Sequence, residues 1–275
     1  MLLEQVRTFD KRWKLRLSDK YRNSLSLLIC RIGVLFLIVA AWEAFVDLRW
    51  MDRYLFSSPS KIIARFGTLI SSGALFEHIY VTAAETFLAF VIGAVAGVVL
   101  GILLALLPRV ARILDPFLVA INGLPRAALA PLFVVWFGIG IASKVAVGAS
   151  IVLFVCLLST YDGVANANAV LLQVGRSLGA TPYQLLTKVQ LPSALPWIVG
   201  GLRTSVAMSL IGTIIGEFIA ASHGLGWYIA YSAGIFDTTG VMVGLIVLGL
   251  IAVLLDISVQ FIGRRLTPWK ANVTP

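Results

Sequence analysis

Residues Val164–Pro196 read VANANAVLLQVGRSLGATPYQLLTKVQLPSALP, and they interrupt a chain that is otherwise strongly apolar. A helical pattern runs to Leu178 and then meets Gly179. Glycine at this point suits the left-handed residue that ends a helix. The stretch therefore predicts a helix and a tight turn between two membrane spans, where a docking element has a reason to exist.

A second, short helix is predicted directly after that turn. Thr181 has the character of an N-cap, Pro182 suits the first helical position, and Gln184 completes a capping box. The pair Leu191-Pro192 is expected to end this helix, since proline cannot continue the hydrogen-bond ladder. A mere connection between spans does not require such capping.

The composition identifies an all-α integral membrane protein. The 275 residues are 59% hydrophobic and 13% charged, with a mean hydropathy of +0.95, whereas a soluble domain carries about a quarter charged residues. Six spans of roughly twenty apolar residues are expected. They cover about 27–46, 84–107, 117–137, 144–162, 197–220 and 240–262. Residues 1–24 are polar and basic, and the apolar run after them is expected to be a retained first span.

The distribution of basic residues predicts the orientation. With six spans, both termini share a side with residues 164–196, and most basic residues lie there: Arg7, Lys11, Arg12, Lys14, Arg16, Lys20, Arg22, Arg109, Arg112, Arg176, Lys188, Arg264, Arg265 and Lys270. The opposite side holds Arg49, Arg53, Lys61, Arg65 and Lys144. By the positive-inside rule, both termini and the 164–196 loop are cytoplasmic.

The longest outer loop, about 47–83, contains a second amphipathic pattern. Pro59-Ser60 indicates a helix start, and apolar residues then recur at helical spacing at Ile62, Ile63, Phe66, Leu69 and Ile70. A helix lying on the outer membrane face and a docking surface for an external partner are both consistent with it.

Small residues four apart occur in three spans: Gly93, Gly97 and Gly101; Gly212 and Gly216; and Gly240 and Gly244. They allow close helix approach. Packing within one subunit is favoured over a dimer seam for each of them.

Two sets of polar residues are candidates for a translocation pathway. In span three, Pro125 and Pro131 are expected to break the helix, with Asn122 and Arg126 beside the first break. Arg126 either attracts an anion or extends toward the cytoplasmic face. In span five, a polar stripe suits either a substrate-facing surface or interhelical hydrogen bonds, and it comprises Ser205, Ser209, Thr213 and Glu217.

The sequence offers no chemistry of its own. It contains no GxxxxGK[ST], HExxH or GxSxG motif, and Cys30, Cys156, His78 and His223 are too scattered for a disulfide or a metal site. Catalytic residues and a metal site are therefore not expected. The chain is a transport protein rather than an enzyme, with no role in nucleic-acid binding, and its energy comes from a partner.

The 164–196 loop resembles the cytoplasmic EAA loop of ATP-binding-cassette importer permeases. In that pattern a glycine is followed by nine residues, an isoleucine, one residue and Leu-Pro. Here Gly179 is followed at the same spacing by Val189 and Leu191-Pro192. The opening departs from the pattern, since Gln173-Val174-Gly175 stands where Glu-Ala-Ala is expected.

Further segments resemble the nitrate/sulfonate/taurine branch of these permeases. They are LPRAALAPLFVVWFGIGIASK (124–144), VGRSLGAT (174–181), LPSALPWIVGGLR (191–203), GEFIAASHGLGWYI (216–229) and RRLTPWK (264–270). The resemblance implies the type I importer permease fold in a bacterial inner membrane. It further implies a homodimer that works with a cytoplasmic ATPase dimer, which binds ATP-Mg, and with an extracytoplasmic substrate-binding protein.

The resemblance also assigns regions and residues. It implies a cytoplasmic segment (1–24), a first span with its outer loop (25–83), a core permease domain (84–262) and a cytoplasmic tail (263–275). The coupling helix, about 182–188, would transmit movement of the ATPase through Gly179, Ala180, Thr181, Pro182, Tyr183, Leu186, Val189, Leu191 and Pro192. A sulfonate or taurine-like anion is the favoured substrate, with nitrate, bicarbonate, aromatic carboxylates and vitamin precursors as others of the branch. The alternative function is a self-contained channel or ion-coupled carrier.

Overall fold

A computed structural model describes residue 27 and residues 29–266, and the described part is helical without strands. The chain divides into two compact units, the first ending at Arg65 and the second beginning at Phe66. The basic residues Arg7–Arg22 and the tail residues Trp269 and Lys270 lie outside the described residues. The helices are α1 (Ile29–Asp47), α2 (Arg53–Phe56), α3 (Pro59–Ser71), α4 (Ala74–Leu106), α5 (Pro108–Gly123), α6 (Ala130–Phe137), α7 (Ile141–Ala165), α8 (Ala169–Ser177), α9 (Pro182–Leu185), α10 (Leu191–Ala220), α11 (Leu225–Gly234) and α12 (Thr238–Leu266).

The acidic residue inside the first span has hydrogen-bond partners within the first unit. Glu43, near the end of α1, accepts hydrogen bonds from Ser60 N at 2.9 Å and from Ser60 Oγ at 2.7 Å. These bonds satisfy a free backbone N–H in the first turn of α3 and place a negative charge at its N-terminus. The predicted amphipathic helix from Pro59-Ser60 is confirmed as α3.

The glycine pattern of α4 packs against α7. A methyl group added at Gly93 would lie 2.6 Å from Ala149 O, and one at Gly101 would lie 2.6 Å from Leu157 O. Only a residue without a side chain permits this approach. The predicted role of the α4 glycines in packing within one subunit is confirmed.

The glycines of α10 and α12 serve the same purpose. A methyl group at Gly212 would lie 2.6 Å from Gly148 Cα of α7, and one at Gly240 would lie 2.5 Å from Ser232 Oγ of α11. The most extensive helix contacts of the second unit accordingly join α4 to α7 and α7 to α10. These three helices form the centre on which the candidate sites are built.

The number of spans agrees with the prediction of about six. Five described helices are long and apolar enough to cross a membrane, and α5 and α6 together make a sixth candidate that bends by 82°. The bend lies at Leu124-Pro125, as the sequence predicts. The predicted second break is wrong, because Pro131 lies in the first turn of α6, where a missing N–H leaves no helical bond unmade.

Candidate coupling and pathway sites

The turn between α8 and α9 has the predicted geometry. Gly179 adopts the left-handed conformation with φ of 77°. Its N–H donates to Arg176 O at 3.0 Å, and the N–H of Ala180 donates to Gly175 O at 3.0 Å. These two bonds form a Schellman motif, which satisfies carbonyls at the end of α8 and fixes the direction in which the chain leaves.

The predicted capping box at the start of α9 is confirmed. Gln184 N donates to Thr181 Oγ1 at 3.3 Å, and Thr181 N donates to Gln184 Oε1 at 2.8 Å. Pro182 occupies the first turn, where it lacks only an N–H that no helix would use. The turn and the helix start are therefore stiffened on both sides of Ala180.

The expected end of this helix at Leu191-Pro192 is wrong. The chain continues helically from Pro182 to Ala220 through a π turn at Leu186–Gln190. Pro192 lies in the first turn of α10, and the wider π turn before it relieves the clash of the ring with the preceding turn. As a result, α9 and membrane helix α10 are one continuous rod.

Apolar side chains cover the outside of this element. They form what we call the α8–α9 surface, and they are Val170 (64% exposed), Leu171 (51%), Val174 (51%), Leu178 (82%) and Tyr183 (74%). A groove of about 640 Å³ continues the surface toward α10 and is lined in part by Val189 and Pro192. Of the remaining residues in the predicted coupling set, Leu186 and Leu191 are half-buried.

Leu185 anchors α9 on α8, a role that the sequence analysis missed. Its side chain is buried, and a methyl group at Gly175 would lie 2.6 Å from Leu185 Cδ2. A β-carbon at residue 175 would require the Leu185 side chain to shift.

The pathway candidates of span three lie together at the bend. Arg126 Nη2 donates to Asn122 Oδ1 at 2.9 Å. The guanidinium carbon lies 4.3 Å from the centre of the Phe154 ring, which is a cation–π distance. Arg126 thus packs on α7, an arrangement that neither sequence hypothesis included.

The polar stripe of α10 faces the interior of the chain. Ser205, Ser209 and Thr213 are fully buried, and Glu217 is 1% exposed. Ser205 Oγ lies 3.1 Å from Cys156 Sγ of α7, and Ser209 Oγ donates to Val206 O at 2.8 Å. In this conformation the stripe offers almost no surface to a pathway, and its contact with substrate stays a prediction.

Glu217 is held by groups from two other helices, α4 and α11. Thr82 Oγ1 of α4 donates to Oε1 at 2.7 Å, and Gly226 N donates to Oε2 at 2.5 Å. Leu225 N in turn donates to Thr82 Oγ1 at 2.8 Å. The carboxyl group therefore joins α10, α4 and the first turn of α11.

A buried ion pair adjoins this carboxyl group. Lys144 Nζ of α7 lies 3.2 Å from Glu85 Oε1 of α4, and both side chains are almost fully buried. Sequence reasoning counted Lys144 as a loop charge and did not single out Glu85. The signal that could have identified them is a lysine at the start of one predicted span and a glutamate at the start of another.

A histidine and two aromatic residues pack near Glu217, toward the start of α4. His78 Nδ1 accepts from Gly224 N at 3.2 Å. Its ring lies 5.4 Å from the Trp227 ring and 5.5 Å from the Tyr228 ring, measured between centroids. His78 therefore joins the start of α4 to the turn that leads into α11.

Comparison with known proteins gives one consistent result. Residues 97–270 match the family described as binding-protein-dependent transport system inner membrane component. The chain is 32% identical to SsuC of Bacillus subtilis (strain 168), a permease protein named for aliphatic sulfonates transport, over 85% of this chain and 84% of SsuC. It is 34% identical to the riboflavin transport system permease protein RibX of Chloroflexus aurantiacus over 86% and 89% of the two chains.

A further relative covers nearly the whole chain. The taurine transport system permease protein TauC of Escherichia coli (strain K12) is 29% identical over 99% of this chain and 98% of TauC. Among solved structures, the MetNI methionine ABC transporter in an inward-facing conformation matches with a TM-score of 0.64 at 21% identity. That match covers 72% of this chain and 98% of the other, and it supports the type I permease fold. The chain therefore belongs to the family of binding-protein-dependent transport system inner membrane components, and it is a multi-pass permease subunit of an ABC importer.

Proposed function

We propose that this permease subunit forms the pathway for a small sulfonate or taurine-like anion, and that a separate ATPase drives its alternating access through the α8–α9 surface. One observation carries the coupling part of this proposal. The exposed apolar residues sit on an element that is capped on both sides and continuous with α10. A displacement imposed on α9 is thereby transmitted along α10 to its contacts with α7.

The α8–α9 surface has the properties of a docking site. Five large apolar side chains within a short polar segment are unfavourable in water unless a partner covers them. Tyr183 projects from the capped turn, and aromatic residues in such positions often dominate interface energy. The partner that fits is the ATPase subunit, since the chain has no nucleotide-binding motif.

The substrate is proposed from the relatives and from charge. Three relatives are named for aliphatic sulfonates or taurine, and the one named for taurine matches over 99% of this chain. Others are named for riboflavin and formylaminopyrimidine, which are different classes of compound. The basic residues of the outer loop, Arg49, Arg53, Lys61 and Arg65, and Arg126 at the bend of the broken span favour an anion.

The coupling proposal can be tested by copurification. Tyr183→Asp introduces a charge at the α8–α9 surface, whereas Phe236→Asp introduces the same charge at an equally open turn between α11 and α12, where Phe236 is 90% exposed. We expect Tyr183→Asp to lower ATPase recovered with the tagged permease at least tenfold, and Phe236→Asp to leave the recovery unchanged. Equal recovery with both variants would overturn the proposed docking surface.

The substrate proposal requires reconstitution of the permease with its ATPase and its binding protein. We expect ATP-dependent uptake of radiolabelled taurine or a short alkanesulfonate into proteoliposomes, with competition by the unlabelled sulfonate and not by riboflavin. Uptake of riboflavin in preference to sulfonates would overturn the substrate class. Uptake by the permease without ATPase would instead favour a self-contained carrier.

A further inference from the structure

Two carboxyl groups and one ammonium group are enclosed together between α4, α7 and α10. Glu85 is fully buried, Glu217 is 1% exposed and Lys144 is 5% exposed. We call these three residues the charge cluster. Burial of this depth removes the water that would stabilise each charge separately, so the protein itself must balance them.

Close helix packing fixes the position of the charge cluster. A methyl group at Gly216, beside Glu217, would lie 2.9 Å from Lys144 Cα. One helical turn further along α7, a methyl group at Gly148 would lie 2.7 Å from Ala89 Cβ and 3.3 Å from Thr213 Oγ1. The charged layer is thus followed by a tightly packed layer from the same three helices.

Glu217 has the surroundings of an ionised carboxylate. Both of its oxygens accept hydrogen bonds, one from the Thr82 hydroxyl and one from the Gly226 N–H. The Thr82 oxygen already accepts from Leu225 N, so its own hydrogen is free to be donated to Glu217. A carboxyl group that receives donors on both oxygens is stabilised as the anion.

Glu85 has different surroundings. Among the described residues, neither of its oxygens has a hydrogen-bond partner, although both are buried. Lys144 Nζ lies 3.2 Å from Oε1 as an ion pair, but its direction does not meet the angles of a hydrogen bond. Glu85 lies one helical turn along α4 from Thr82, which donates to the Glu217 carboxyl group, so Glu85 and Glu217 meet on the same side of α4.

Other ionisable groups near the charge cluster do not change its balance. His78 accepts a hydrogen bond at Nδ1, so it is neutral with its proton on Nε2. Glu77 and His223 pair with each other 3.3 Å apart, and both are more than half exposed. On α10 and α12, Arg203 pairs with Asp256 at 3.3 Å. The charge cluster therefore keeps one excess negative charge if both glutamates are ionised.

We propose that Glu85 binds a proton and donates it in a hydrogen bond to the Glu217 carboxylate. The charge cluster is then neutral, with one carboxylic acid, one carboxylate and one ammonium group. The proton comes from water and returns to water when Glu85 ionises, so no other reactant is needed. A metal cation in its place is disfavoured because Lys144 already supplies the positive charge beside Glu85.

This proton has a structural consequence at one end of the bundle. Lys144 joins α7 to α4, and the proposed hydrogen bond joins α4 to α10. Loss of the proton would leave two carboxylates facing each other in a medium of low dielectric, where like charges repel strongly. The proton on Glu85 therefore stabilises the contacts between the three central helices α4, α7 and α10.

Infrared spectroscopy of the purified permease at neutral pH tests the proposal directly. We expect a carbonyl band of a protonated, buried carboxyl group in the unmodified protein. Glu85→Gln should remove the band, and Glu77→Gln, which changes an exposed carboxyl on the same helix, should retain it. Lys144→Met should retain the band, because removal of the ammonium group makes ionisation of Glu85 less favourable still. A spectrum without the band, or a band that survives Glu85→Gln, would overturn the proposal.

Thermal unfolding identifies which glutamate carries the proton. Glutamine at position 85 can donate its amide N–H to Glu217, so Glu85→Gln should unfold within about two degrees of the unmodified protein. Glutamine at position 217 would offer only one acceptor oxygen to two donors, so Glu217→Gln should unfold several degrees lower. Equal destabilisation by both variants, failure of Glu85→Gln to fold, or stability that depends on sodium concentration would each contradict the assignment.

Discussion

The turn Gly224-Leu225-Gly226 shows how a single carboxyl group constrains the residues around it. Gly224 adopts a φ of 112°, which side chains rarely tolerate. A methyl group at Gly226 would lie 2.7 Å from Glu217 Oε2, the oxygen that accepts a hydrogen bond from the Gly226 N–H. The two glycines let the backbone wrap closely around the carboxylate.

We predict that Gly226→Ala lowers the stability of the permease by about 1–3 kcal/mol, because the added methyl group overpacks the site. The measurement is thermal or denaturant-induced unfolding of the purified protein in detergent. Gly234→Ala is the matched control, since Gly234 ends the same helix and has no atom within 4 Å of the added methyl group. Equal stability of the two variants would show that the backbone at Gly226 does not pack closely against the Glu217 carboxylate.

At the scale of elements, the seam between α4 and α7 depends on three glycines in one row. We predict that Gly97→Val prevents formation of a monodisperse protein, because even its Cβ would lie 2.7 Å from Cys156 Cβ. Overpacking of this kind forces helices apart, and lipid supplies no hydrophobic compensation. Size-exclusion chromatography of a fluorescent fusion gives the readout.

The control for the α4–α7 seam is Gly67→Val on α3. Gly67 has no atom within 4 Å of an added methyl group, so the same substitution should leave the elution profile unchanged. A normal profile for Gly97→Val would mean that the two helices are not in close contact in the membrane.

The capped turn before α9 permits a second prediction at this scale. Thr181→Ala removes the capping box and should destabilise the helix start by about 1 kcal/mol. We expect amide hydrogen exchange at residues 183–186 to become roughly five times faster, since that free energy changes local opening by about this factor. Ser177→Ala, at the exposed end of α8, is the control. Unchanged exchange after Thr181→Ala would indicate that α10 alone holds α9 in place.

At the scale of the whole molecule, the orientation in the membrane follows from the basic residues and can be measured. In a variant without Cys30 and Cys156, we expect a cysteine at Phe236 to react with an impermeant maleimide in intact cells. A cysteine at Gln173 should react only after the cells are opened, because the positive-inside rule places α8 in the cytoplasm. Labelling of Gln173→Cys in intact cells would show that the orientation is the opposite of the predicted one.

Local features of this protein were predictable from the sequence because their causes are local. The apolar runs predict the spans, since lipid requires about twenty residues in a helix. Gly179, Thr181 and Gln184 predict the turn and the cap, because the atoms that bond are at most a few residues apart. The row of glycines in α4 predicts close packing, although it does not identify α7 as the partner helix.

Tertiary structure decided what these elements do to one another. Thr82 and Glu217 are 135 positions apart, and no local pattern predicts that they share a hydrogen bond. The same packing brings Glu85 to Lys144, turns the polar stripe of α10 inward and makes α9 continuous with α10 across a proline. The sequence by itself determined the spans and the capped turn between α8 and α9. Only the fold decided which charges meet, because burial and partner distance depend on helices that are far apart along the chain.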